Sequence, residues 1–142
     1  MSIEKAITDM ARDAKKAAKV VASLNTRKKD EALERIAQRL LDEAATIKRE
    51  NEKDLAEAKE KGLSEAMIDR LTVNDAVIES MAKGLRDVVK LPDPVGRVMG
   101  MWLRPNGLQV GRIRITLGVI GMIYESRPNA TIDAAGLCLK AG

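Results

Sequence analysis

The residues best suited to chemistry lie in residues 124–129, in the order Tyr-Glu-Ser-Arg-Pro-Asn. This segment follows an apolar run and precedes helical apolar spacing, which predicts an elbow between a strand and a helix. Open α/β sheets bind ligands at such elbows, where free backbone N–H groups attract anions and Arg127 adds a planar donor. A second interpretation stays open, in which Ser126 and Asn129 only cap the helix and Arg127 pairs with Glu125.

Cys138 is the only cysteine in the sequence, so it is the only candidate thiol nucleophile and can form no internal disulfide. It lies on the apolar stripe of the last predicted helix, and the sequence contains no histidine to activate it. We therefore expect a buried, unreactive thiol.

Without histidine, and with one cysteine, no metal site is expected. A single free cysteine is typical of a reducing, cytoplasmic setting.

The charge pattern limits the kinds of partner. The 142 residues carry 25 Lys and Arg against 21 Asp and Glu, a net charge of +4. Nucleic-acid binders usually combine a dense basic patch with stacking aromatic residues, but this chain has one Trp and one Tyr. We therefore expect no nucleic-acid partner. No apolar run is long enough to cross a membrane, so no membrane partner is expected either.

The elements that position the elbow are a strand and a helix. Residues 119–124 are apolar and rich in β-branched side chains, which predicts a strand covered on both faces, as in a parallel sheet. Ile132, Ala135 and Cys138 then recur at helical spacing. The helix that they predict ends at Gly142. Because a parallel strand needs a crossover to a partner strand, we expect this βα unit to be incomplete in the sequence.

The preceding ninety residues predict helices only. Apolar spacing and capping residues place them at residues 2–22, 27–61 with a break within 42–46, 64–71 and 75–90. Pro92 and Pro94 then mark a linker. Strands follow at residues 98–104 and 108–116, and the Asn-Gly turn between them predicts a hairpin with one wet face.

Several segments of the sequence resemble one known enzyme family. Residues 112–129 and 133–142 closely resemble γ-glutamyl phosphate reductase, also called glutamate-5-semialdehyde dehydrogenase, of the aldehyde dehydrogenase superfamily. Residues 51–55, 67–71 and 84–88 are similar to the same family. The resemblance covers the whole chain and corresponds to the amino-terminal part of the enzyme.

The resemblance implies an NADPH-dependent reduction of γ-glutamyl phosphate to glutamate 5-semialdehyde in proline biosynthesis. In that chemistry a cysteine thiolate displaces phosphate, and hydride reduces the thioester. The family's catalytic cysteine and most NADPH contacts would lie beyond Gly142, and Cys138 does not match that cysteine. No catalytic residue is therefore expected in this chain, and the isolated chain should be inactive.

The resemblance assigns Ser126, Arg127 and Asn129 to the substrate side of the site. In the wider superfamily an Asn at the elbow donates to the oxyanion, and Ser126 departs from that pattern. Arg127 is expected to contact the acyl phosphate or the glutamyl carboxylate in the complete enzyme.

The implied fold is α/β and aldehyde dehydrogenase-like. A helical region over residues 1–91 is followed by a linker and oligomerisation-type hairpin over 92–117. Residues 118–142 would supply the first strand and helix of an incomplete Rossmann-like parallel sheet, part of a truncated nucleotide-binding domain. A homo-oligomer through residues 98–117 is expected.

An alternative function is a stand-alone, non-catalytic helical interaction protein. The apolar strand over residues 119–124 argues against this alternative as a monomer, because an unpaired strand promotes association. The two interpretations differ in whether the natural product extends beyond these residues.

Overall fold

A computed structural model describes residues 2–125 and 127–142. This part of the chain contains six helices and one two-stranded sheet: α1 Ile3–Val21, α2 Thr26–Asp42, α3 Ala44–Glu60, α4 Glu65–Leu71, α5 Asp75–Lys90, β1 Val98–Leu103, β2 Gln109–Ile113 and α6 Pro128–Ala141. No helix among the described residues has both the length and the apolar character needed to span a membrane.

The predicted helix breaks are confirmed. The long helical pattern divides at Glu43, between α2 and α3. Gly62 follows α3 with φ +70°, a conformation that favours glycine after a helix. The Asn74 side chain caps α5 by accepting a hydrogen bond of 2.9 Å from the Val77 N–H. These ends were predictable because each depends on residues close in sequence.

The core forms where α2, α5 and α6 pack together. Leu33 and Ala37 of α2 meet Ala82 and Leu85 of α5, and all four are buried. α6 approaches closely at Gly136, where an added Cβ would lie 2.6 Å from Leu85 Cδ2. The last helix therefore packs on the helical region that precedes the linker. The predicted regions 1–91, 92–117 and 118–142 remain predictions as domains.

The predicted hairpin is confirmed, with β1 and β2 antiparallel and Trp102 opposite Val110. Gly107 in the turn has φ +84°, as the Asn-Gly signal requires. The prediction of a single wet face is wrong. Met101 and Trp102 point to opposite faces of the strand, yet they are 64% and 43% exposed. Both faces of the hairpin therefore reach solvent.

The predicted strand over residues 119–124 does not form a hydrogen-bonded strand. Within the described residues the only sheet is the β1–β2 pair, so this segment has no partner. Val119, Ile120 and Met122 are exposed along it. The physical reason is that a strand is stabilised by backbone hydrogen bonds to a neighbouring strand, and an apolar composition does not supply that strand. The Rossmann-like part of the fold therefore remains a prediction.

Helix α6 begins at Pro128, earlier than the apolar spacing indicates. Proline is favourable in the first turn of a helix because its missing N–H has no partner there in any case. The predicted end at Gly142 is confirmed, since Gly142 caps the helix with φ +83°.

Candidate functional site

The elbow places Arg127 immediately before α6, with Asn129 inside its first turn. Arg127 is the N-cap residue, but its side chain makes no capping hydrogen bond. Asn129 is exposed and lies one residue after the start of the helix, so the interpretation of Asn129 as the cap is wrong. Ser126, the third predicted site residue, lies outside the described residues. The structure therefore locates Arg127 and Asn129 at the predicted elbow.

The elbow faces α4 and the loop between α4 and α5 across a cleft of about 270 Å³, which we call the elbow cleft. Its lining combines charged, polar and apolar side chains from segments distant in sequence: Asp69, Arg70, Thr72, Val77, Arg127, Pro128 and Asn129. Sequence reasoning predicted two of these as site residues, Arg127 and Asn129. Asp69 and Arg70 were missed as site residues, although they lie in the segment 67–71 that carries part of the family resemblance.

A buried asparagine fixes the α4 side of the elbow cleft. Asn51 is only 6% exposed. Its Nδ2 donates to the Leu71 carbonyl at 2.9 Å, and its Oδ1 accepts from the Val73 N–H at 2.8 Å. A buried amide with satisfied partners holds both backbone groups in place. The Thr72 hydroxyl donates to the Ile68 carbonyl at 2.8 Å, so its proton is engaged within the protein.

The elbow cleft carries charge of both signs. Arg70 and Arg127 are exposed, and among the described residues neither forms an ion pair with a carboxylate. The interpretation that Arg127 pairs with Glu125 is therefore wrong for this structure. Asp69 adds one carboxylate beside the two guanidinium groups. A cleft with this excess of positive charge suits an anionic group, because guanidinium binds carboxylate or phosphate with two parallel hydrogen bonds.

A hydrogen bond within the elbow joins the hydroxyl groups of Tyr124 and Thr131. Tyr124 precedes the turn and Thr131 lies in the first turns of α6. The contact therefore ties the two arms of the elbow together on either side of Arg127.

Cys138 is exposed, so the prediction of a buried thiol is wrong. Helix α6 turns Gly136 and Lys140 toward the other helices, and Ile132 packs against the core beside them. Because α6 is oriented in this way, Cys138 lies in a separate groove of about 370 Å³, together with Leu117 and Ile120. Cys138 does not line the elbow cleft.

Two buried lysines hold the linker and α6 against α2. Lys29 is 0% exposed, and its Nζ donates to Asp93 Oδ2 at 3.0 Å and to the Lys140 carbonyl at 3.3 Å. Lys140 is 3% exposed, and its Nζ donates to Asp30 Oδ1 at 2.6 Å and to the Val89 carbonyl at 3.0 Å. Each buried charge is thus paired and hydrogen-bonded, as burial requires.

The lysine contacts also affect Asp93. Burial by itself would raise the pKa of Asp93, but hydrogen bonds from the Val95 N–H, Lys29 and Thr26 outweigh it and lower the pKa below its usual value. Asp93 lies between the two prolines of the predicted linker. The linker is therefore anchored at its centre.

The described residues offer little for a cofactor. No group of three possible metal ligands occurs among them. The elbow sequence over residues 124–129 contains no glycine, whereas a dinucleotide pyrophosphate is held by a glycine-rich turn between strand and helix. The elbow therefore lacks the glycine-rich turn that commonly holds a dinucleotide pyrophosphate.

Comparison with known proteins identifies relatives along the whole chain. No family model matches the sequence. A γ-glutamyl phosphate reductase of Desulfotalea psychrophila is 58% identical over 142 residues, which is 100% of this chain and 34% of that protein. One from Desulfatibacillum aliphaticivorans is 57% identical with the same coverage.

Solved structures give the same result. The crystal structure of γ-glutamyl phosphate reductase from Thermotoga maritima is 39% identical, with a TM-score of 0.91 over 94% of this chain and 32% of that chain. The enzyme from Saccharomyces cerevisiae is 31% identical, with a TM-score of 0.87 over 94% of this chain and 34% of that one.

The chain spans about a third of the length of the curated relatives that it matches. Its similarity to them is continuous from end to end, and the solved relatives share its fold. The resemblance found in the sequence is thereby confirmed: along its whole length the chain is similar to an amino-terminal part of γ-glutamyl phosphate reductases.

Proposed function

We propose that this chain is the amino-terminal part of an oxidoreductase that reduces γ-glutamyl phosphate to glutamate 5-semialdehyde in proline biosynthesis. The observation that carries the proposal is identity of 52–58% with proteins named γ-glutamyl phosphate reductase, over the whole chain. This identity favours the enzyme over the alternative of a stand-alone helical interaction protein.

In this proposal the chain contributes to substrate binding and not to the covalent chemistry. Arg127 and Asn129 line the elbow cleft, and Arg127 would contact an anionic group of the substrate. Ser126 is assigned to the same site from the resemblance alone. Cys138 lies in a different groove, which agrees with a nucleophile supplied by another part of the enzyme.

The proposed reductant is NADPH, which supplies hydride when it is bound. Because the elbow lacks a glycine-rich turn for its pyrophosphate, we assign most of its contacts to the remainder of the enzyme. No step of the reaction is assigned to a cofactor contact in this chain.

We also propose that the complete enzyme is a cytoplasmic homo-oligomer assembled through residues 98–117, without nucleic-acid or membrane partners. Exposed apolar side chains along the hairpin support an interface there, notably Met101, Trp102, Leu103 and Ile113. An exposed hairpin edge also offers unpaired backbone groups to a second copy. Sedimentation that detects only monomers at high concentration would contradict the assembly.

The test of function uses the natural gene product that contains this sequence. Its intact mass should exceed that of the 142-residue chain, and the purified protein should oxidise NADPH only when γ-glutamyl phosphate is present. The 142-residue chain, purified separately, should give no turnover. A natural product that ends at Gly142 and is a stable monomer would instead support the interaction protein.

A further inference from the structure

The elbow cleft contains one carboxylate and two guanidinium groups, and a simple phosphate site does not need the carboxylate. We infer that this cleft binds the α-amino-acid end of the substrate, with Arg70 and Arg127 on the α-carboxylate and Asp69 on the α-ammonium group. The inference rests on the proposed function for the identity of the substrate, and it assigns roles to Asp69 and Arg70, which sequence reasoning had not included.

The charges of the elbow cleft match this ligand group better than a phosphate. A zwitterionic head group needs an anion receptor and a cation receptor side by side. Asp69 can accept hydrogen bonds from an ammonium group, whereas it would repel the negative charge of a phosphate. Both arginines line the cleft, and neither has a carboxylate partner among the described residues that it would need to release.

The α4 wall of the elbow cleft is held independently of any ligand. Asn51 bonds the backbone on both sides of Thr72, and that loop directly follows Arg70. Hydrogen bonds from a buried side chain therefore fix the backbone at Leu71 and Val73, which directly follows Asp69 and Arg70. A preformed wall reduces the ordering cost of binding.

The size of the elbow cleft also favours a small group. Its volume of about 270 Å³ lies just below the usual range of small-molecule pockets, roughly 300–1,000 Å³. The cleft therefore suits one end of a small ligand and not a dinucleotide. The reacting acyl group would extend out of the cleft toward the rest of the enzyme.

The kinetic test uses the complete enzyme in the reverse direction, in which glutamate 5-semialdehyde, phosphate and the oxidised cofactor give γ-glutamyl phosphate and the reduced cofactor. Arg70→Gln and Asp69→Asn should each raise KM for glutamate 5-semialdehyde by about tenfold or more, since each removes a charge-assisted hydrogen bond. KM for phosphate should stay unchanged. Arg49→Gln and Asp54→Asn, exposed changes on α3 outside the elbow cleft, serve as matched controls.

A selective rise in KM for phosphate in Arg70→Gln would overturn the inference, because the cleft would then bind the phosphate. Unchanged KM values in both variants would overturn it as well. If the unaltered enzyme fails to turn over glutamate 5-semialdehyde, the proposed function fails, and direct binding still decides the inference.

Direct binding is measured on the unaltered protein with L-glutamate, glutarate and inorganic phosphate as probes. L-Glutamate should bind at least about fivefold more tightly than glutarate, which lacks the ammonium group, and Asp69→Asn should abolish that difference. Equal binding of the two probes by the unaltered protein, or an unchanged preference in Asp69→Asn, would refute the role of Asp69. Equal melting temperatures of the variants would show that their folds are intact.

Discussion

Lys29 Nζ lies 3.0 Å from Asp93 Oδ2, and the lysine side chain is completely buried. Lys29 belongs to α2, whereas Asp93 lies in the linker after α5, so this ion pair closes a long loop of the chain. Removing one member of a buried pair leaves an uncompensated charge, which costs more than removing both.

We expect Lys29→Met to lower the free energy of unfolding by about 3–5 kcal/mol, because Asp93 loses its cationic partner. The double variant Lys29→Met with Asp93→Asn should recover part of that loss. Urea unfolding of the purified protein measures both values. Equal destabilisation of the single and double variants would contradict this account of the pair.

Stability should depend on pH through Asp93. Its pKa is lowered in the folded protein by hydrogen bonds from Val95, Lys29 and Thr26, which outweigh the opposing effect of burial. The corresponding stabilisation is present above the unfolded-state pKa of about 3.9 and is lost as pH falls through the lower folded-state value. The free energy of unfolding should therefore decrease in this acidic range.

Asp93→Asn should flatten that acid dependence when unfolding is followed from pH 6 down to about pH 2. Glu57→Gln is the control, since Glu57 is exposed and only Lys61 lowers its pKa, through a hydrogen bond and charge attraction. If Glu57→Gln changed the pH profile as much as Asp93→Asn, the buried pair would not explain it.

Gly136 should tolerate no larger side chain. Alanine would place Cβ 2.6 Å from Leu85 Cδ2, and Leu85 is itself buried, so the core must shift at a cost of about 1–3 kcal/mol. Gly84→Ala in α5 is the matched control. There the added Cβ meets only Asp133 Oδ1 at 3.7 Å, so alanine should stabilise the helix by up to about 1 kcal/mol.

Thermal unfolding of the two glycine variants measures the difference. Gly136→Ala should melt at a lower temperature than the unaltered protein, and Gly84→Ala at the same or a higher temperature. A Gly136→Ala variant as stable as Gly84→Ala would show that α6 does not pack this closely on α5.

Asn51→Ala should loosen the α4 wall of the elbow cleft. The change leaves the Leu71 carbonyl and the Val73 N–H without their partner, at a cost of about 1–3 kcal/mol for each buried group left unpaired. Hydrogen exchange of the Val73 amide should accelerate strongly. Asn106→Ala in the exposed hairpin turn should leave that amide unchanged, and protection of Val73 in Asn51→Ala would argue against the contact.

Arg127→Ala in the complete enzyme should lower kcat/KM for γ-glutamyl phosphate by roughly tenfold or more, because a charge-assisted contact to the substrate is lost. Arg49→Ala on α3 provides a control outside the elbow cleft. An unchanged kcat/KM in Arg127→Ala would remove this arginine from the substrate site.

Sequence reasoning succeeded where the determining residues are neighbours. The break at Glu43, the cap at Asn74 and the turn at Gly107 each follow from a few adjacent side chains. The predicted strand over residues 119–124 does not form, because a strand also needs a partner strand, which neighbouring residues do not supply. Arg127 could be predicted as a site residue because the elbow is defined by neighbouring residues.

The other side of the elbow cleft required tertiary information. Arg70 and Arg127 line the same cleft although they lie far apart in the chain. A single sequence does not show which distant segments lie side by side. Cys138 is exposed because α6 packs through Gly136 and Lys140, with Gly136 close to Leu85. The apolar spacing of α6 alone does not show which face packs.

The buried lysines, in contrast, had a signal in the sequence. Lys29 continues the stripe of Leu33 and Ala37 at intervals of four residues. Lys140 follows Gly136 at the same interval in α6. A lysine on a buried stripe predicts a buried ion pair, because an unpaired ammonium group is too costly to bury.

The contact between Lys140 and Asp30 spans 110 positions of the chain. During synthesis, α2 and α5 leave the ribosome well before α6, and at that stage the surface around Leu33 and Leu85 lacks its third wall. This core can be completed only after α6 has emerged, because Ile132 and Leu139 pack against it. The segments before and after the linker therefore contribute to one hydrophobic core, although the composition changes between them.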